Sequence, residues 1–332
     1  MFIQYFKSGF FNQYLVIGIL GLILWTGSFL QPPFMPLPSG PVPLYGLLYQ
    51  LLHKVPLLSV ILGFLLVLGE TYWLTRILDR HNLILKNSSL SALIFFVLMS
   101  SNPEQLTLNP VNISVLFLII ILYHLMISYN KPEHLDRIYA AGFFTAMATL
   151  FYFPFLFWFG FILVSFILFR SGNWRQWVGS FIGLLTPFIF LSVFYFWFDD
   201  LAFRIREYRL VFQQLFVFPN PFQVDFWILS GFTLVLALFG LLKLMGGPVE
   251  KTVEIRAKIN IILWMIPFAI VSFGFSGFLA IYHPALAMPT FTLALTTALT
   301  SLKKTRFMES ILILYFLAIL VNNLLIHTLK TY

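Results

Sequence analysis

Runs of apolar residues long enough to cross a bilayer recur from residue 13 to residue 329, separated by short polar or proline-rich breaks. A helix satisfies its own backbone hydrogen bonds and needs about 20 apolar residues to cross the hydrocarbon, so repeated runs of this kind point to a bundle of membrane helices. Eleven segments qualify: 13–30, 55–78, 87–101, 112–129, 138–153, 155–169, 178–198, 226–245, 261–281, 285–301 and 309–329. The third and fifth are short, which suits interior helices shielded by longer neighbours. The fifth, IYAAGFFTAMATLFYF, carries Gly142 and Ala146 one turn apart, a spacing that lets helix backbones approach closely. Gly179 and Gly183 form a similar pair at the start of the seventh. No strand precedes that pair and no Lys-Ser/Thr follows it, so it reads as helix packing rather than phosphate binding.

The 332 residues are 60% hydrophobic and 10% charged, too little polar surface to cover a water-soluble core. A secretory signal would show a single apolar core ahead of a soluble sequence, so nothing here is expected to be cleaved. With no cysteine, disulfides, thiolate chemistry and Cys-ligated metals are excluded. Walker, Rossmann and Ser-His-Asp signatures are missing, and no cofactor is expected. The formal net charge of +8 has a topological reading. With the N-terminus inside, only Lys54, Arg204, Arg206, Arg209 and Lys330 of the 20 basic residues fall on the outer side. Basic residues spread over every inward loop form no clustered face, so nucleic acid is not an expected partner. The sequence thus predicts a multi-pass protein of a bacterial inner membrane, with a cytoplasmic N-terminus and a periplasmic C-terminus.

The stretch SFLQPPFMPLPSGPVPLYG, residues 28–46, holds six of the 18 prolines and no charge. On this topology it leaves the first helix on the outer face, where its unpaired carbonyls can meet interfacial water. The PLYGLLYQLLHKV that follows spaces its leucines as a helix does and carries Tyr45 and Tyr49, aromatic residues suited to the headgroup level. Residues 28–54 are therefore expected to form an outer proline-rich loop with a short interfacial helix.

Two further stretches are LSALIFFVLMSSNPEQLTLNP (90–110) and AAGFFTAMATLFYFPFLFWFGFILVSFILF (140–169). They resemble the short third helix with its small-residue and proline outer turn, and the Gly-rich fifth helix running into an aromatic sixth, of GT-C membrane glycosyltransferases. The resemblance covers about residues 10–200. The chain as a whole is similar to a family of uncharacterised bacterial polytopic inner-membrane proteins with this GT-C-like helix architecture. The resemblance implies a polyprenyl-phosphate sugar donor and an Asp or Glu in the first outer loop, to activate the acceptor or bind a metal. A hydroxyl must lose a proton as it attacks, and a phosphate leaving group is often balanced by an oxygen-ligated divalent ion. Residues 31–54 contain neither Asp nor Glu.

The acid would then come from the outer loop DDLAFRIREYRLVFQQLFVFPNPFQVD, 199–225. Asp199 and Asp200 are the candidate catalytic carboxylates, and Arg204, Arg206 and Arg209 could hold a lipid phosphate as bidentate donors. An amphipathic helix at the outer surface, its arginines on lipid headgroups, explains the same pattern. Glu104, in the outer SNPEQ turn, could face the same cavity or simply be solvated. Glu70, in LGETYW of the second segment, is an ionisable group at membrane depth and so either a functional or a hydrogen-bonded structural residue. The six histidines, at 53, 81, 124, 134, 283 and 327, are never closer than ten residues, so no metal site is expected.

The resulting expectation is a single all-α transmembrane domain over residues 1–332, an approximately eleven-helix GT-C-like bundle. It would act on a membrane lipid or lipid-linked glycan of the cell envelope at the outer face, as a divergent transferase or a non-catalytic relative. The alternative is a structural subunit that anchors protein partners of an envelope or secretion complex.

Overall fold

The structure, a computed structural model, describes residues 2–7, 11–131, 133–169, 173–213, 224–245, 252–302 and 306–329. These residues form α-helices and short 3₁₀ turns, with no strand among them. In chain order the helices are α1 (Phe2–Phe6), α2 (Phe11–Leu30), α3 (Pro43–Leu52), α4 (Pro56–Arg80), α5 (Leu90–Met99), α6 (Pro110–Ser128) and α7 (Leu135–Phe151). They continue with α8 (Phe159–Leu168), α9 (Trp174–Trp197), α10 (Leu201–Gln213), α11 (Val224–Met245), α12 (Val253–Phe273), α13 (Met288–Ser301) and α14 (Arg306–Leu329). Each of the eleven apolar segments contains one of them. Six, from α2, α4, α6, α9, α12 and α14, are long and apolar enough to cross a membrane. The architecture is that of a multi-pass membrane helix bundle.

The short segments lie inside, because longer neighbours cover them. All of α5 except Val97 is buried, and α7 is held between α6 and α9. The α7–α9 contact is the closest helix approach described. A Cβ built on Gly142 would stand 2.0 Å from the Ser180 carbonyl oxygen, and one on Gly183 would stand 2.1 Å from that of Tyr139. Each glycine thus admits the other helix's backbone, as the small-residue spacing predicted. Gly179 faces open space and takes no part. Away from α7, α9 exposes Phe181, Ile182, Phe190, Phe194 and Trp197, an apolar surface suited to lipid.

Helix ends meet at two poles. At one, Trp25 of α2 donates its indole N–H to Ser100 Oγ after α5 (3.0 Å), and Asn323 of α14 donates to the carbonyls of Leu24 and Ser100. The Leu108 N–H meets the Ser59 carbonyl of α4 (3.1 Å) at the same pole. At the other, Ser88 and Ser89 donate to the Phe6 carbonyl, and Lys258 of α12 donates to His81 Nδ1 (3.0 Å). The ends of α2, α4, α5 and α12 therefore alternate as the charge pattern requires, and the proline loop lies at the first pole.

Two local expectations are revised. The helix predicted at 261–281 begins and ends eight residues earlier, at Val253–Phe273. Thr252 Oγ1 accepts the Ile255 N–H at its start, and Glu254 pairs with Lys258 one turn on, so polar residues extend the apolar run. Residues 274–281 leave the helix and form short turns instead. Tyr45, read as an interfacial anchor, is fully buried and donates its hydroxyl to the Pro36 carbonyl (2.7 Å), pinning the proline loop to α3.

Lys258 is only 4% exposed, its charge shared between Glu254, His81 and the Tyr129 ring. Burial first, then the charges of Lys258 and Arg80, lower the His81 pKa to about 4 from its usual 6.5. Because the folded value lies below the unfolded one, this contribution to stability is full above pH 6.5 and is lost as pH falls towards about 4. Thermal stability in detergent is expected to fall over that window in the wild type. In His81→Gln, which keeps an acceptor for Lys258 but cannot titrate, the loss should be smaller.

Candidate functional site

The proline-loop pole encloses a cavity of about 790 Å3, a size typical of small-ligand sites. Pro36–Gly40 form one wall, Phe153 and Pro154 a second, and the turns at 274–282 a third, with Glu104 among them. The SNPEQ turn builds the wall from its own polar groups. Asn102 Oδ1 accepts the Glu104 N–H (3.1 Å), which caps the 3₁₀ turn Pro103–Gln105, while Asn102 Nδ2 donates to the Ile281 carbonyl (3.0 Å). Gln105 Nε2 donates to the Tyr282 carbonyl (3.0 Å). Glu104 is the one carboxylate in the lining. Burial, and after it the Glu104 charge, push the Tyr282 phenol above its usual range, so that hydroxyl stays a donor.

A second cavity, about 390 Å3, lies on the far side of the same turns, between α11 and α12. Leu234 and Ile270 at its mouth are 52% and 69% exposed, so it opens sideways through the apolar flank of the bundle. Phe273, Met288 and Phe291 line its walls, whereas Ser101, Asn102, Gln105, Thr233 and His283 gather at its polar end. The Gln105 Oε1 is buried and has no hydrogen-bond partner among the described residues. His283 is locked by its surroundings. Its Nε2 faces the Ala269 carbonyl (2.8 Å), which can only accept, so Nε2 carries the proton. Nδ1 then accepts from the Tyr152 hydroxyl (2.7 Å), and the imidazole is neutral. Ser272 Oγ, 3.2 Å from Nε2, also accepts the Trp158 indole N–H (3.1 Å) and extends the network to the turn before α8.

Of the charged residues singled out in the sequence, Glu104 alone lines either cavity. Asp199 and Asp200 sit exposed at the junction of α9 and α10, Asp199 in a left-handed conformation (φ 57°). Arg204 is paired with Glu207 (2.7 Å), and its guanidinium lies over the Tyr195 ring. Arg206 and Arg209 are exposed on α10. That helix approaches the first cavity through Tyr208, whose ring lies 5.9 Å from that of Phe153, a wall residue. Residues 214–223 of the same loop lie outside the described residues. Glu70 is buried in α4, makes no ion pair among the described residues, and lines neither cavity. Among the described residues no group of three His, Cys, Asp or Glu is placed to hold a metal.

Tyr282 and Gln105 escaped the sequence reading, and His283 was weighed there only as a metal ligand. The signal for Tyr282 and His283 was the break in IYHPALAMP, a polar pair between two apolar runs, which hydropathy alone smooths into a longer helix. The fold and cavities define a polytopic helical membrane protein with a pocket at one pole and a lipid-side cleft behind it. No protein-family model, curated protein or solved structure matches the chain.

Proposed function

We propose that the chain handles an amphiphilic, lipid-linked substrate at the proline-loop pole, as a divergent or non-catalytic protein of GT-C-like helix architecture. In this reading all eleven apolar segments cross a bacterial inner membrane, with the N-terminus cytoplasmic, the C-terminus periplasmic and the proline loop on the periplasmic face. The observation that carries the reading is that residues 274–283 stand between two cavities, one lined by the carboxylate Glu104 and one, opening on the flank, lined almost wholly by apolar surface. A lipid tail in the sideways cleft brings its polar head to Gln105, whose bare Oε1 takes a hydroxyl donor. Across the turns stands Glu104, a carboxylate able to accept a proton from an attacking hydroxyl. Glu104 thus replaces the acid missing from the first loop, and Asp199 and Asp200 become secondary candidates at the rim. Arg206 and Arg209, free of ion pairs among the described residues, are the phosphate contacts α10 can offer.

Purification in mild detergent with mass spectrometry of bound lipid and protein tests this. The wild type should retain a polyprenyl- or glycan-bearing lipid, and Leu234→Trp, which narrows the cleft mouth, should retain at least about tenfold less. Glu104→Gln should keep the lipid but complement a deletion strain roughly 100-fold less well in any activity-linked phenotype. Bulk phospholipid alone in every variant, with full complementation by Glu104→Gln, would overturn the reading. A stoichiometric protein neighbour without such a lipid would instead identify an anchoring subunit.

A further inference from the structure

The pole opposite the proline loop carries a groove of about 740 Å3 between α4, α6 and α7, unrelated to the cavities above. Tyr72, Trp73, Arg76 and Arg80 line it from α4, Tyr123 and His124 from α6, and Phe144 from α7. Tyr72 and Trp73 are partly exposed to the flank, so the groove opens to the surface that lipid covers. Arg76 and Arg80 lie one turn apart on one helix face, and neither makes an ion pair among the described residues. Arg76 donates its Nε–H to the Tyr72 hydroxyl (3.2 Å), and its guanidinium stands 5.2 Å from that ring's centroid. The side chain is thereby oriented while its two terminal amino groups remain available. The carboxylate in the lining, Asp79, is turned to its own loop, where Oδ1 accepts the Asn87 N–H (2.9 Å). The His124 ring is stacked on Phe144, and its buried Nδ1 has no hydrogen-bond partner among the described residues.

Two unpaired guanidinium groups against one engaged carboxylate give the groove a positive bias, and the aromatic side chains place it at the depth where headgroups meet acyl chains. We propose that this groove is a binding site for an anionic phospholipid of the leaflet at that pole. Its phosphate sits between Arg76 and Arg80 in bidentate contact, its glycerol region lies along Tyr72, Tyr123 and His124, and its chains follow Trp73 out along α4. A zwitterionic headgroup fits less well, because its ammonium would stand beside the same guanidinium groups.

The full chain in mild detergent, titrated with phosphatidylglycerol or phosphatidylcholine and observed by native mass spectrometry, tests this. Phosphatidylglycerol should be retained about tenfold more tightly than phosphatidylcholine, the difference expected from holding the choline cation beside two guanidinium groups. The double variant Arg76→Gln, Arg80→Gln should lose that preference, and Lys86→Gln, an exposed basic residue at the same pole but outside the groove, should keep it. Both replaced arginines are exposed, so unchanged thermal unfolding of the double variant without added lipid establishes that it is folded. Equal retention of the two lipids, or an unaltered preference in the double variant, would overturn the proposal. Displacement of phosphatidylglycerol by inorganic phosphate at similar concentration would also overturn it, by showing a site for a soluble anion.

Discussion

Gly183→Leu and Gly142→Leu are each expected to destabilise the bundle by about 3 kcal/mol or more, a large share of the stability of a typical folded domain and enough to lower the unfolding midpoint well below that of the wild type. At both positions the first added carbon would lie 2.0 to 2.1 Å from a backbone oxygen of the facing helix, which no rotamer can relieve. The helices would have to separate along their contact, and α7, held between α6 and α9, has no free side to move into. Gly179→Leu is the control. It lies one turn from Gly183 on the same helix but meets nothing within 4 Å, so it should leave the unfolding midpoint near that of the wild type. Equal effects at 179 and 183 would show that helix propensity or expression, rather than the close approach, sets the outcome.

His283→Leu should be the next most damaging replacement, at about 2 to 4 kcal/mol, because it strands buried polar groups on two sides. Tyr152 loses the acceptor of its hydroxyl, and the Ala269 carbonyl and Ser272 Oγ lose the Nε2 donor that fastens the segment before α13 to α12. Adding Tyr152→Phe to His283→Leu should recover part of the loss, since both partners of one bond are then apolar. Thermal unfolding of the two single variants and the double one measures that coupling. Strict additivity would mean that the Tyr152–His283 bond contributes nothing. The same replacement should reduce lipid retention in the sideways cleft, because His283 forms part of its polar end.

Hydropathy and charge were sufficient to specify the helical class and the place of nearly every helix. The bilayer length of an apolar run and the need to satisfy backbone groups are local constraints, legible residue by residue. Gly142 and Gly183 were legible for a similar reason, since a missing side chain marks a close approach whichever helix approaches. The site was legible only in part. Glu104 was visible as a carboxylate in a proline turn, but its cavity depends on the turns at 274–282, which read as the end of an apolar helix but lie beyond the last residue of α12, Phe273. Asp199, Asp200 and the α10 arginines formed the most conspicuous charged cluster, yet all but the half-buried Arg204 lie on the exposed surface, because charge attracts notice in a sequence whether or not the fold turns it inward. The sequence by itself determined that the chain is an all-helical, multi-pass membrane protein and where most of its helices run. Only the tertiary structure decided that Glu104, Gln105, Tyr282 and His283 share one pole and that Arg76 and Arg80 share a groove with α6 and α7, because such juxtapositions depend on helix neighbours remote in the chain.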